Sequence, residues 1–170
     1  KVVSDNTKEN TLVVIETTVP PGTTENKIVP LFKKYFKKNN LNFSKLYLSH
    51  SYERVMPGFN YLNSIINYFR VYSGINEESK LKAKIFFESF INTKDFPLSE
   101  LHSTNASEIS KVLENSYRST NIAFIKEWTT FAESANVNLF EVINSIKLRD
   151  THNNIMYPGF GVGGYCLTKD

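Results

Sequence analysis

The sequence predicts an α/β protein, with a parallel sheet and its helices in the first part and a mostly helical domain built on one long helix behind it. Three observations carry this. Residues 12–17 (LVVIET) form an apolar, β-branched run, strand-like and helix-like stretches alternate up to about residue 100, and residues 105–134 keep a helical period without Gly or Pro. The expected division is 1–102 for the first domain and 103–170 for the second.

Residues 12–17 suit a buried strand, because a strand covered on both faces reads as a continuous apolar run. Val19-Pro20-Pro21-Gly22 ends it as a loop, and Thr23 or Thr24 can cap the helix that follows to Lys38. Ile28, Leu31, Phe32 and Phe36 mark the inner face of that helix. Opposite them lie Lys33, Lys34, Lys37 and Lys38, either a solvated face or a phosphate- or RNA-binding patch. No aromatic platform or binding-module motif supports the second option. Asn39 and Asn40 break the helix, residues 46–49 predict a second strand, and a loop surrounds Pro57-Gly58. Residues 69–73 read as a further short strand and residues 77–90 as a helix capped by Asn76.

Past Ser103 the pattern changes. Asn105-Ala-Ser-Glu108 resembles a capping box with Asn in place of Ser or Thr. Ile109, Val112, Leu113, Tyr117, Ala123, Phe124, Trp128 and Phe131 then recur at helical spacing for about eight turns. Apolar residues on more than one side of so long a helix fit a dimer spine or a helix buried within one chain. Residues 139–146 predict another helix, and the chain ends in a glycine-rich loop.

Composition narrows the function classes. Hydrophobic residues make up 41% and charged residues 22%, ordinary for a soluble globular protein. A net charge of +3 is too small to argue for nucleic acid. No apolar run approaches the roughly 20 residues that span a bilayer, so no membrane partner is expected. No secretory signal is visible, and a single cysteine fits a reducing compartment, which together predict a cytoplasmic location. His50, His102 and His152 lack zinc-ligand spacing, so no metal is assigned.

The stretch from Pro158 to Asp170 (PGFGVGGYCLTKD) is the most informative. Its four glycines in six residues allow close backbone approach, so the loop can aim amide N–H groups at a phosphate or an oxyanion, or simply turn. Gly159, Gly161 and Gly164 satisfy G-x-G-x-x-G, yet only six residues follow and no strand clearly precedes, so this is no dinucleotide fingerprint. Cys166 beside that loop is either a small buried residue or a nucleophile. A thiolate needs nearby positive charge, and Lys111 is the candidate supplier. Lys111 and Asn115, spaced i, i+4, share a helix face and present an ammonium and an amide to a substrate oxygen, or both face solvent. Thr18 and Glu53 follow the first two strands, at the edge where α/β ligand sites form, and equally suit cap or turn positions.

Taken in order, four segments resemble the UDP-glucose/GDP-mannose dehydrogenase family: Glu16 to Thr24, Tyr52 to Gly58, Ala106 to Asn115, and Pro158 to Asp170. The resemblance implies that residues 1–102 are the C-terminal part of a Rossmann-like NAD-binding domain and residues 103–170 a central helical domain that dimerises. It implies oxidation of a sugar C6 alcohol to a carboxylate in two NAD-linked steps, with Cys166 trapping the aldehyde as a thiohemiacetal that becomes a thioester. In that scheme Lys111 stabilises oxyanions with Asn115 as companion, and Asp170 handles protons near the cysteine. Thr18 and Glu53 position water and the general base for hydrolysis and also bind the cofactor. Phe160, Gly161, Gly163 and Gly164 hold the nucleotide-sugar.

The E-R-V-M-P-G form is most similar to the UDP-N-acetylhexosamine branch, which makes uronic acids for surface polysaccharides, because Pro57 stands where UDP-glucose and GDP-mannose enzymes carry a second acid. Two departures from the pattern are Tyr52, where proline is common, and Tyr165, where that branch often has histidine. The G-x-G-x-x-G half and the terminal nucleotide-binding domain are not in the sequence, so the expectation is an internal piece that does not catalyse alone. The competing readings are a non-catalytic dimerisation or nucleotide-sugar-binding module, and a cysteine hydrolase.

Overall fold

A computed structural model describes residues 2–55 and 58–169. Its elements in chain order are α1 (Val2–Asn6), β1 (Leu12–Ile15), α2 (Val29–Lys38), β2 (Tyr47–His50), α3 (Tyr61–Ile66), β3 (Val71–Gly74), α4 (Glu77–Glu88), β4 (Ser99–Glu100), α5 (Thr104–Ser134), α6 (Leu139–Lys147) and α7 (Tyr165–Lys169). The chain divides into two units, Lys1–Lys111 and Val112–Asp170, and the division falls inside α5.

In the first unit, β1 is packed on both faces, each of its residues half-buried. Val13 and Ile15 pack with Phe32, Phe36, Leu46 and Leu48, whereas Leu12 and Val14 pack with Tyr72, Ala83, Phe87 and Ile91. The period-2 alternation of a strand thus explains why its sequence is apolar throughout: α2 covers one side and α4 the other. Lys33, Lys34, Lys37 and Lys38 are exposed behind buried Phe32 and Phe36, so the lysine cluster is a solvated face. Thr24–Ile28, just ahead of α2, is a π-helical turn. Pro30 accounts for it, since proline offers no N–H to the Asn26 carbonyl and its ring pushes that carbonyl away.

The sheet runs β1-β2-β3-β4. β1 pairs parallel with β2, with Ile15 opposite His50, and β3 pairs parallel with β4. The α/β class and the long helix stand as expected, but one ladder corrects the expectation of a parallel sheet: β2 and β3 are antiparallel, with His50 opposite Ser73. A parallel neighbour needs a crossover back along the sheet. The connections through α2 and α4 provide one, while α3, between β2 and β3, has only six residues, about 9 Å of helix.

In the second unit, Ile125 and Ala132 of α5 pack with Leu139 and Ile143 of α6, closed by Ile155 and Met156. Asn136, at φ 55°, takes the left-handed position that turns the chain, and the Asn138 side chain caps α6 by accepting from the Phe140 N–H at 3.1 Å. An adjoining side of α5 is an open aromatic row: Phe124, Trp128 and Phe131 are each about half exposed, with Phe124 tilted against Trp128 and Trp128 edge to face with Phe131.

Candidate active site

Parallel β1 and β2 end at a common edge, and the two expected site residues that follow them emerge there. Thr18 is half-buried and Glu53 exposed. The Glu53 carboxylate accepts a hydrogen bond from the Val55 N–H at 2.6 Å, so it fastens its own turn while facing solvent. Arg70, buried just before β3, ties the two strand ends together through Glu16 at 3.0 Å and the Tyr52 carbonyl at 3.5 Å.

The turn after Thr18 is held from a distance. Glu108, buried on the second turn of α5, accepts from the N–H groups of Gly22 (2.6 Å), Thr23 (3.1 Å) and Thr24 (2.8 Å) and from the Thr24 hydroxyl (2.6 Å). A carboxylate at these N–H groups satisfies donors that a helix start leaves open and complements its dipole. Two sequence expectations are corrected here. Neither Thr23 nor Thr24 caps its own helix, because Thr23 Oγ1 donates to the Pro20 carbonyl and Thr24 Oγ1 to Glu108. Nor is Glu108 the back half of a capping box: α5 begins one residue before Asn105, Ser103 Oγ accepts from the Ala106 N–H at 3.1 Å, and Glu108 serves another helix.

Between these features sits a buried polar cluster. His50 Nδ1 lies 2.7 Å from Ser107 Oγ, which also meets Ser73 Oγ at 2.7 Å. His50 Nε2 has no hydrogen bond of acceptable geometry among the described residues. Burial lowers the His50 pKa, while the Glu108 charge and the Thr17 carbonyl pull it back up.

Lys111 comes one turn after Glu108. Its Nζ lies 5.4 Å from the centre of the Tyr52 ring, beside Glu53 in the chain. Tyr52 is buried, and its hydroxyl meets Ser110 Oγ at 2.9 Å and Arg54 Nη2 at 3.0 Å. The first unit thus brings Thr18's turn, Tyr52, Glu53 and Lys111 around one end of the sheet. The residues the sequence reading missed are Glu108, Arg70 and His50, and only Glu108 carried a signal, which pointed to a local cap.

The second unit carries the remaining expected residues. Asn115 is buried, which removes the reading of it as a solvent-facing residue. Phe160 is fully exposed on the glycine loop, and Gly161 (φ 96°) and Gly164 (φ 84°) take left-handed conformations that a side chain would strain. Gly163 between them is exposed. Cys166 follows as the second residue of α7 with its thiol exposed, so it is not a small core residue. Asp170 and Pro57 lie outside the described residues. Among the described residues no group of His, Cys, Asp and Glu is arranged to hold a metal, and no helix is long and apolar enough to cross a membrane.

Residues 105–170 match the central domain of the UDP-glucose/GDP-mannose dehydrogenase family. The chain is 37% identical over 161 residues to UDP-N-acetyl-D-mannosamine dehydrogenase of Methanocaldococcus jannaschii, covering 94% of this chain and 34% of that protein. Among solved structures, UDP-D-ManNAc dehydrogenase from Pyrococcus horikoshii superimposes with a TM-score of 0.82 at 33% identity, over 98% of this chain and 38% of that one. The UDP-N-acetyl-mannosamine dehydrogenase of Staphylococcus aureus gives a TM-score of 0.82 at 28% identity, over 99% and 39%. The chain spans about a third of the length of the curated relatives it matches.

Proposed function

We propose, on the premise that residues 105–170 match the central domain of the UDP-glucose/GDP-mannose dehydrogenase family, that this chain supplies catalytic residues of an NAD-linked UDP-N-acetylhexosamine 6-dehydrogenase. The observation that carries the reading is the exposed Cys166 thiol, set directly after a loop that two left-handed glycines shape. The names of the relatives support the N-acetylhexosamine class, UDP-N-acetylmannosamine first.

Cys166 Sγ adds to the C6 aldehyde carbon, giving a thiohemiacetal whose oxygen takes the proton released by the thiol. Loss of a hydride and a proton from that adduct leaves a thioester, and water attacks its carbonyl carbon to release the carboxylate and restore the thiol. Lys111 and Asn115 hold the oxygen on which negative charge develops. Glu53, exposed next to Tyr52, orients the attacking water, and Asp170 handles the proton at the cysteine. The backbone of Phe160, Gly161, Gly163 and Gly164 holds the nucleotide-sugar.

Thr18 and Glu53 would hold NAD, and their placement fits it, because both emerge beyond the carboxyl ends of a parallel strand pair. NAD supplies the hydride acceptor for both oxidations. The aromatic row of α5 pairs two copies of the protein into a homodimer, and the free thiol suits a cytoplasmic enzyme.

The test is NADH formation by the protein carrying this chain, across UDP-sugars and GDP-mannose, with a Cys166→Ala control. Two NADH per UDP-N-acetylhexosamine, lost in the control, is the expected result. Binding of UDP-sugars with no NADH from any of them would overturn the reading in favour of a binding module.

A further inference from the structure

We propose that Tyr52 is the positioning residue for Lys111, holding its ammonium over the ring face without neutralising it; the inference rests on the role given to Lys111 above. A lysine that stabilises an oxyanion has to stay cationic and keep its N–H donors free for substrate. A carboxylate partner would hold it but cancel its field and occupy its donors. An aromatic face attracts the cation through its quadrupole and uses no donor.

The structure has that arrangement. Lys111 Nζ is 5.4 Å from the ring centre, and no carboxylate among the described residues pairs with it. The ring is itself fixed. It is 1% exposed, and its hydroxyl is held at 2.9 Å by Ser110, the residue before Lys111, so ring and lysine share one anchor on α5. Arg54, two residues after Tyr52, also fixes the ring, donating to the hydroxyl at 3.0 Å and to the Phe69 carbonyl at 3.1 Å, with its guanidinium carbon 5.1 Å from the ring centre.

The test is steady-state NADH formation by the protein carrying this chain, with Tyr52→Phe and Tyr52→Leu made alone and in a Lys111→Met background. Tyr52→Phe, which keeps the face, is expected to hold kcat within about twofold. Tyr52→Leu is expected to lower kcat roughly 5- to 30-fold, the span of a cation–π contact in a partly desolvated site, with the nucleotide-sugar KM nearly unchanged. In the Lys111→Met background the leucine is expected to cause no further loss, which a merely structural role would not produce. An additional loss there, or full kcat in a folded Tyr52→Leu protein, overturns the inference alone. Full activity of Lys111→Met overturns the role of Lys111 and the inference with it. A second readout needs no substitution of Tyr52: the ring current is expected to shift the Lys111 ε-CH2 resonance upfield, assigned by its loss in Lys111→Met. An unshifted ε-CH2 overturns the inference even if Tyr52→Leu does not fold.

Discussion

Glu108 caps a helix it does not belong to, receiving the Thr24 N–H at 2.8 Å and the Thr24 hydroxyl at 2.6 Å across 84 residues of sequence. One turn later the same helix carries Lys111, so the contact joins the turn after Thr18 to the segment that bears the candidate oxyanion lysine.

Glu108→Gln keeps the shape of the side chain but replaces one acceptor oxygen by a donor, facing N–H groups that already donate. Stability is expected to fall by about 1–3 kcal/mol, the usual cost of unmaking a charged hydrogen bond in a buried site. Urea unfolding measures it, and an unchanged midpoint would show that the three N–H groups find other acceptors.

Gly74 closes β3 where α4 begins. A Cβ there would sit 2.6 Å from the Lys80 nitrogen and 2.9 Å from the Ser79 carbonyl carbon, both backbone atoms of the helix. Ser79 cannot swing aside freely, because its N–H is capped by Asn76 at 2.8 Å. Gly74→Ala is therefore expected to cost about 1–3 kcal/mol through displacement of the first turn of α4, read from the same unfolding curves. Wild-type stability in this variant would mean the helix start gives way at no cost.

His50 makes stability depend on pH. Burial holds its folded pKa below the ordinary value of 6.5, against the opposing pull of Glu108 and the Thr17 carbonyl. Above that value both folded and unfolded chains carry a neutral imidazole and the group is silent. Below it the unfolded chain takes up a proton that the fold refuses, so stability falls as pH drops from about 6.5 until the folded pKa is reached. The urea midpoint is expected to decline between pH 7 and pH 5, and His50→Gln is expected to flatten part of that slope. A slope identical in the variant would assign the effect to other groups.

The aromatic row Phe124, Trp128 and Phe131 is the proposed contact between two copies. Trp128→Glu places a charge at its centre, where desolvation opposes pairing. Sedimentation is expected to change from dimer to monomer while helix content by circular dichroism stays the same. A dimer that persists at micromolar concentration would move the interface elsewhere.

Much of the fold was legible. The unbroken apolar run at residues 12–15 reported packing on both faces of β1, and the unbroken helical period ran to Ser134, where α5 ends. Asn76 was read as a cap and is one, because its partner lies three residues away. Glu108 was read by the same local rule and misassigned, because the spacing Asn105 to Glu108 cannot show that its acceptors are used by Thr24 and its neighbours instead. The direction of β3 was missed for a related reason: strand patterning carries no sign of orientation, which depends on how far the intervening chain travels.

The sequence by itself determined β1, β2, β3 and the helices α2, α4, α5 and α6, the packing of both faces of β1, the glycine loop before Cys166 and the order of the four motifs. These follow from periodicity and backbone sterics over a few residues. Only the tertiary structure decided that Glu108 holds a distant helix, that His50 is buried beside Ser107, and that Lys111 rests on Tyr52, 59 positions earlier in the chain. Each of these is a choice of partner among many chemically equivalent groups. That choice is settled by which donors and faces remain unsatisfied once the sheet and its helices have packed.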